Sequence, residues 1–205
     1  MLRRMDEVDS KGRRGARLRV LGVYAFLALL LLAARPTPLS VSLGFAIAAL
    51  GEALRFWAAG HLRKSVELVT SGPYRYTRNP MYLGRLIIFS GICVMARLPY
   101  LGNLVLLLIG WILFFGYYLP RKERVEPARL AQLHGEAYVR YHSEVPALFL
   151  RTSPYPDVAT RGWSSDRFLR NREHWMALGL LGLSLLLLWI SYGEPGGLLV
   201  RLLNR

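Results

Sequence analysis

The chain has 205 residues, of which 53% are hydrophobic, and a formal net charge of +14. Its mean hydropathy is +0.27. Several unbroken apolar runs approach the ~20 residues that cross a ~30 Å hydrocarbon core, which excludes an ordinary soluble domain. The basic residues cluster beside the ends of apolar runs, and no groove-reading motif is present. The charge therefore points to anionic membrane lipids as partners and not to nucleic acid.

Residues 1–19 form a basic tail with Arg3, Arg4, Lys11, Arg13, Arg14, Arg17 and Arg19 and no apolar periodicity. Such a tail is expected to be disordered or to lie on the lipid surface. A basic stretch before an apolar one can also be a signal peptide. Ala33-Ala34-Arg35-Pro36 is a poor cleavage site, so residues 20–34 are expected as a retained first span. Pro36 and Pro38 make a tight turn. The second span, 39–59, carries Glu52 and Arg55 near its far end. The third, 80–96, has Arg85 just over one turn inside it. Arg97-Leu98-Pro99 leaves room only for a hairpin, so the fourth span, 100–119, is expected antiparallel to the third.

Pro120 and the charged run Arg121–Glu126 follow. Residues 127–142 then carry a stripe of Leu130, Leu133, Ala137, Tyr138 and Tyr141, opposite Arg129, Gln132, Glu136 and Arg140. This pattern predicts an amphipathic helix. Residues 151–205 hold a polar linker and a fifth span at 175–192. The expected fold class is all-α: an integral membrane helical bundle of about five spans, with its core domain at 20–150 and an amphipathic helix on the cytoplasmic side. With five spans, the tail, residues 61–78 and residues 121–172 share one side. They hold most of the Lys and Arg, so that side is expected to be cytoplasmic.

Cys93 is the one cysteine and reads as a small buried hydrophobe. It cannot form a disulfide framework within one chain. His61, His134, His142 and His174 lack metal-ligand spacing, so no metal site is expected. There is no phosphate-cradling glycine loop and no nucleophile elbow. Glu52, Arg55 and Arg85 are charges inside apolar runs. Such charges either satisfy one another near the headgroup level or line a polar pocket. Glu126 is held in place by Pro127 and suits a zwitterionic or cationic ligand.

The connector between the second and third spans stands out. It reads Leu68-Val69-Thr70-Ser71-Gly72-Pro73-Tyr74-Arg75-Tyr76-Thr77-Arg78-Asn79-Pro80-Met81-Tyr82-Leu83-Gly84. Gly72-Pro73 marks a turn. Asn79 is expected to cap the third helix, with Pro80 at its first position. The stretch can be a basic loop before a capped helix and nothing more. Its density of tyrosines and arginines favours a site.

Four blocks in order carry a resemblance: Leu68–Tyr74, Arg78–Gly84, Glu126-Pro127, and His134-Gly135-Glu136-Ala137-Tyr138 through Tyr141 to Val145-Pro146. Together they resemble the isoprenylcysteine carboxyl methyltransferase family with its bacterial relatives, which is similar to the phospholipid N-methyltransferases. The resemblance spans residues 56–149 and leaves the linker and fifth span without a counterpart. It implies S-adenosyl-L-methionine-dependent methyl transfer at the cytoplasmic membrane face. The acceptor it implies is a lipophilic small molecule or lipid: an isoprenylcysteine-like carboxylate or a lipid amine.

By this resemblance the cofactor contacts fall on Val66, Glu67, Leu68, Val69, Tyr74, Asn79, Pro80, Met81, Tyr82 and Glu126. Asn79, Tyr82 and Glu126 fall nearest the reaction. The substrate-side arginine falls on Lys122, with Arg121 beside it and Arg85 on the third span. Two positions depart from the family. Asn79 replaces the usual histidine and cannot titrate near neutral pH, and Lys122 lacks the planar fork of arginine. Two further readings stay open. One is an NADPH-dependent enzyme like the sterol reductases, which share a similar block but usually have an acid where Arg85 stands. The other is a non-catalytic membrane protein with a degenerate site.

Overall fold

The computed structural model describes residues 21–22, 24–63, 67–156 and 162–193. The basic tail and Val66 lie outside them. The described residues are helical and contain no strand. In chain order they form α1 (Tyr24–Ala33), α2 (Pro38–His61), a 3-10 turn (Gly72–Arg75), α3 (Pro80–Ala96) and α4 (Gly102–Leu113). A π-helical turn (Phe114–Tyr118), α5 (Leu119–Glu144), α6 (Ser165–Arg170) and α7 (Glu173–Ser191) complete the order. Pro38–His61, Gly102–Glu144 and Glu173–Ser191 are long and apolar enough to cross a membrane, and Tyr24–Ala33 and Pro80–Ala96 are shorter apolar helices.

Helix α2 starts on a reciprocal cap. Thr37 Oγ1 accepts from the Ser40 amide at 3.2 Å and Ser40 Oγ accepts from the Thr37 amide at 2.9 Å, with Pro38 at the first helical position. The helix then packs antiparallel on α3 through glycines. A Cβ on Gly44 would lie 2.5 Å from the Gly91 carbonyl oxygen, and one on Gly51 would lie 2.7 Å from that of Gly84. Each pair is seven residues from the next along its own helix, so the same face meets twice. Small residues let two backbones approach this closely, as in membrane helix pairs generally.

Leu30 of α1, Val41 and Ala48 of α2, Ile88 and Met95 of α3, and Leu180, Leu187 and Ile190 of α7 form the main core. Helix α4 has no buried residue, and its Leu104, Val105, Leu108, Ile109 and Ile112 are exposed. A continuous apolar exterior of this kind suits hydrocarbon and not water.

The expected boundary at Pro127 is absent. Helix α5 runs from Leu119 through Pro120 and Pro127. A proline ring collides with the carbonyl four residues earlier in α-helical register. The π turn at Phe114–Tyr118 shifts the register just ahead of Pro120 and lets one helix continue. The break comes instead at Gly135, inside the expected amphipathic helix. Its φ of 55° is one that glycine adopts at little cost.

The connector docks on the chain after α5. The Arg78 amide donates to the Pro146 carbonyl at 2.9 Å, the Arg151 amide to Tyr76 at 3.0 Å and the Tyr155 amide to Arg75 at 2.9 Å. Tyr141 Oη donates to the Tyr74 carbonyl at 2.8 Å. These bonds bring the connector against α5, and with it the start of α3.

The glycine crossing is testable. Gly51→Leu must push α2 and α3 apart, and overpacking costs about 1–3 kcal/mol or more. Its melting temperature in detergent is expected to fall by several degrees. Gly179→Ala, where an added Cβ meets nothing within 4 Å, is expected to leave it unchanged or raise it.

Candidate active site

The end of α2, the connector, the first turns of α3, the middle of α5 and the first residue of α7 enclose a cavity of about 370 Å³. That is within the ~300–1,000 Å³ typical of small-molecule sites. Glu67, Leu68, Val69, Tyr74, Asn79, Pro80, Met81, Tyr82, Arg85, Lys122 and Glu126 all line it. Arg121 does not. It points outward, 6.0 Å from the Tyr117 ring.

Asn79 heads α3, but its side chain does not cap the helix. The amide is turned into the cavity wall and is 2% exposed. Its Nδ2 donates to Glu123 Oε1 at 3.0 Å and to the Ala147 carbonyl at 2.7 Å, and its Oδ1 accepts from Lys122 Nζ. Both ends of the amide are thus engaged. Tertiary partners outweigh the local capping preference because they leave no buried donor or acceptor unmet.

Lys122 is the hub of the polar wall. Besides Asn79, its ammonium meets Glu126 Oε2 at 2.6 Å and sits 4.4 Å over the Tyr82 ring. Arg85 lies over the same ring at 5.3 Å, and Tyr82 contacts Tyr118 with ring centroids 5.4 Å apart. Arg85 is therefore not part of a set with Glu52 and Arg55. Two cations over one ring make a positive wall that suits an anionic ligand group. Glu126 is 46% exposed, so the proline after it does not bury it.

Two lining carboxylates were not anticipated. Glu123 binds Arg78 Nη2 at 2.6 Å and lies 3.7 Å from His142 Nε2. Its place three residues before Glu126 would have put both on one face of a helix running through Pro127. Glu173, the first residue of α7, reaches the cavity from the far end of the chain. Its Oε2 accepts from Arg55 Nη2. The only sequence mark of this role is an acid at the head of an apolar run.

Tyr74 is buried in the connector, and burial holds its phenol far above the usual range. It stays a neutral hydroxyl at any physiological pH. Among the described residues no group of three or more His, Cys, Asp or Glu is gathered as metal ligands would be.

Helices of membrane-crossing length that enclose a charged, tyrosine-lined cavity at the end of a tight helix pair define a membrane protein with a cavity of small-molecule size. Residues 43–124 match the phospholipid methyltransferase family profile. This stretch holds most of α2, the connector, α3, α4 and the Lys122–Glu123 turn of α5, and the matching profile is of the same membrane methyltransferase kind that the four sequence blocks resemble. The chain is also 31% identical over 137 residues to the cobalt-zinc-cadmium resistance protein CzcN of Cupriavidus metallidurans. The alignment covers 66% of this chain and 60% of that protein, so the chain spans less than two thirds of the relative's length. No solved structure matches the chain.

Replacing Glu123 by alanine leaves the Arg78 guanidinium and the Asn79 amide without their carboxylate. For a fully buried pair such a loss costs ~3–5 kcal/mol. Here Arg78 and Glu123 keep 12% and 25% exposure. The expected cost is about 1–3 kcal/mol, read as a lower melting temperature by tryptophan fluorescence in detergent.

Proposed function

We propose that the chain is a multi-pass membrane enzyme that takes S-adenosyl-L-methionine in the 370 Å³ cavity and transfers its methyl group to a lipophilic acceptor at the cytoplasmic face. One observation carries this reading. The cofactor positions implied by the family resemblance come from the connector, α3 and α5, and all those within the described residues line one cavity.

The chemistry asks little covalent help from the protein. A lone pair on the acceptor forms a bond to the methyl carbon as the carbon–sulfur bond breaks, and S-adenosylhomocysteine leaves as a neutral thioether. Catalysis is then mostly alignment of donor and acceptor with exclusion of water. Glu126 and Glu67 suit the cofactor's ammonium, and the backbone of Leu68 and Val69 suits its polar edges. Tyr74 supplies a neutral hydroxyl donor.

Asn79 holds Lys122 and Glu123 in place and does not act as a base, because a neutral amide takes up no proton near pH 7. An acceptor that must lose a proton has two lining carboxylates of α5 to receive it, Glu123 and Glu126. Arg85 and Lys122 over Tyr82 favour an acceptor with an anionic group next to the methylated atom. A membrane phospholipid or an isoprenylated carboxylate meets that description. The apolar exterior of α4 supports the reading that such an acceptor is supplied from the bilayer.

S-adenosylhomocysteine is expected to raise the melting temperature of the purified protein, since a ligand at 100 times its Kd stabilises the native state by about 2.7 kcal/mol. Glu126→Ala is expected to weaken that binding by roughly tenfold or more, the loss of one charge-assisted contact. Stabilisation by NADPH and not by S-adenosylhomocysteine contradicts the proposal.

A further inference from the structure

Glu173 lines the cavity but belongs to α7, beyond residues 43–124 and beyond the stretch that resembles the methyltransferase family. Its partner Arg55 is a fully enclosed side chain on α2, 2% exposed. Arg55 Nη2 donates to Glu173 Oε2, Nη1 donates to the Met81 carbonyl at 3.0 Å, and Nε lies 3.8 Å from Glu52 Oε2. The carboxylate of α7 thereby sets the guanidinium that holds the first turn of α3, where Asn79, Met81 and Tyr82 face the cavity. Gly84 makes this possible, because a Cβ there would lie 2.5 Å from Arg55 Cγ.

A second set of contacts runs the same way. The last carbonyls of a helix have no partner within it. At the end of α2 they are met from the segment around α6. The Ser164 amide donates to Gly60 at 3.0 Å, and Asn171 Nδ2 donates to Ala59 at 2.9 Å and to Leu62 at 3.1 Å. Arg167 Nη1 donates to His61 at 3.4 Å. That end of α2 leads directly into Leu62 and Arg63, which also line the cavity. A segment serving only as a bilayer anchor needs apolar side chains. It has no use for a desolvated ion pair, which is costly to bury and gains little stability over apolar packing.

We propose that the α6–α7 segment is a working wall of the cofactor cavity, with Glu173 as a positioning residue that orients Arg55 and, through it, the Met81 turn. The proposal rests on the S-adenosyl-L-methionine reading above. The test is equilibrium binding of S-adenosylhomocysteine to the full chain in detergent, by calorimetry, for the wild type, Glu173→Gln, Glu173→Asp and the double variant Arg55→Met/Glu173→Met.

The double variant removes the Arg55–Glu173 pair together but also takes the cation from beside Glu52, so its unliganded melting temperature is expected somewhat below that of the wild type. Its affinity is expected to fall at least about tenfold, as misplacement of a positioned turn by ~1 Å can cost even more. Glu173→Gln is expected to lose affinity likewise, and Glu173→Asp to recover part of it. If the double variant does not fold, Glu173→Gln decides the matter. Wild-type affinity in either variant overturns the proposal and leaves the pair a purely structural one. Absence of binding by the wild type overturns the cofactor reading itself, and the proposal with it.

Discussion

The close crossing of α2 and α3 is the constraint on which the rest of the molecule depends. Gly44 and Gly51 on one helix meet Gly91 and Gly84 on the other, with room for no Cβ at these four positions. At this separation a side chain rooted in α2 can cross to the backbone of α3. Arg55 does so, and its bond to Met81 ties the last turns of one helix to the first turn of the other. The connector must then leave α2 and enter α3 at nearly the same level. Its described residues, 67–79, pack on the chain after α5 and line the cavity.

The cavity's electrostatics follow from this frame. Arg78 pairs with Glu123 and Lys122 with Glu126, each bridging the connector or α3 to α5 or running along α5 itself. Asn79 joins the two pairs by donating to Glu123 and accepting from Lys122. An amide suits this role better than an imidazole would, because it presents a donor and an acceptor together at any pH. The substitution of asparagine for the family's usual histidine reads here as a change from a titratable group to a fixed brace. The change is compatible with the proposed methyl transfer, whose leaving group is activated before it arrives.

The helical class was legible because apolar runs of spanning length have few other solutions. The lining residues of the connector were legible because their order and spacing carry a family pattern. What escaped depended on distance along the chain. Asn79 looked like a cap because capping is a local preference, whereas its partners lie 43, 44 and 68 residues away. Arg55 was grouped with Glu52 and Arg85 because all three are charges inside apolar runs. Its carboxylate partner is 118 residues on, and Arg85 turns instead to Tyr82. The helix through Pro127 escaped because proline disfavours a helix interior without forbidding it, and nothing local in the sequence announces that the helix continues. The α7 span was visible as an apolar run, but nothing in it announced a contribution to the cavity.

The cavity is proposed to pass a methyl group to a molecule drawn from the membrane. The most direct measurement is incubation of the purified chain with methyl-labelled S-adenosyl-L-methionine and a total membrane lipid extract, followed by partition into organic solvent. The account predicts label in the organic phase, in a product whose formation S-adenosylhomocysteine suppresses. Label confined to the aqueous phase, or organic label that S-adenosylhomocysteine does not reduce, would contradict it.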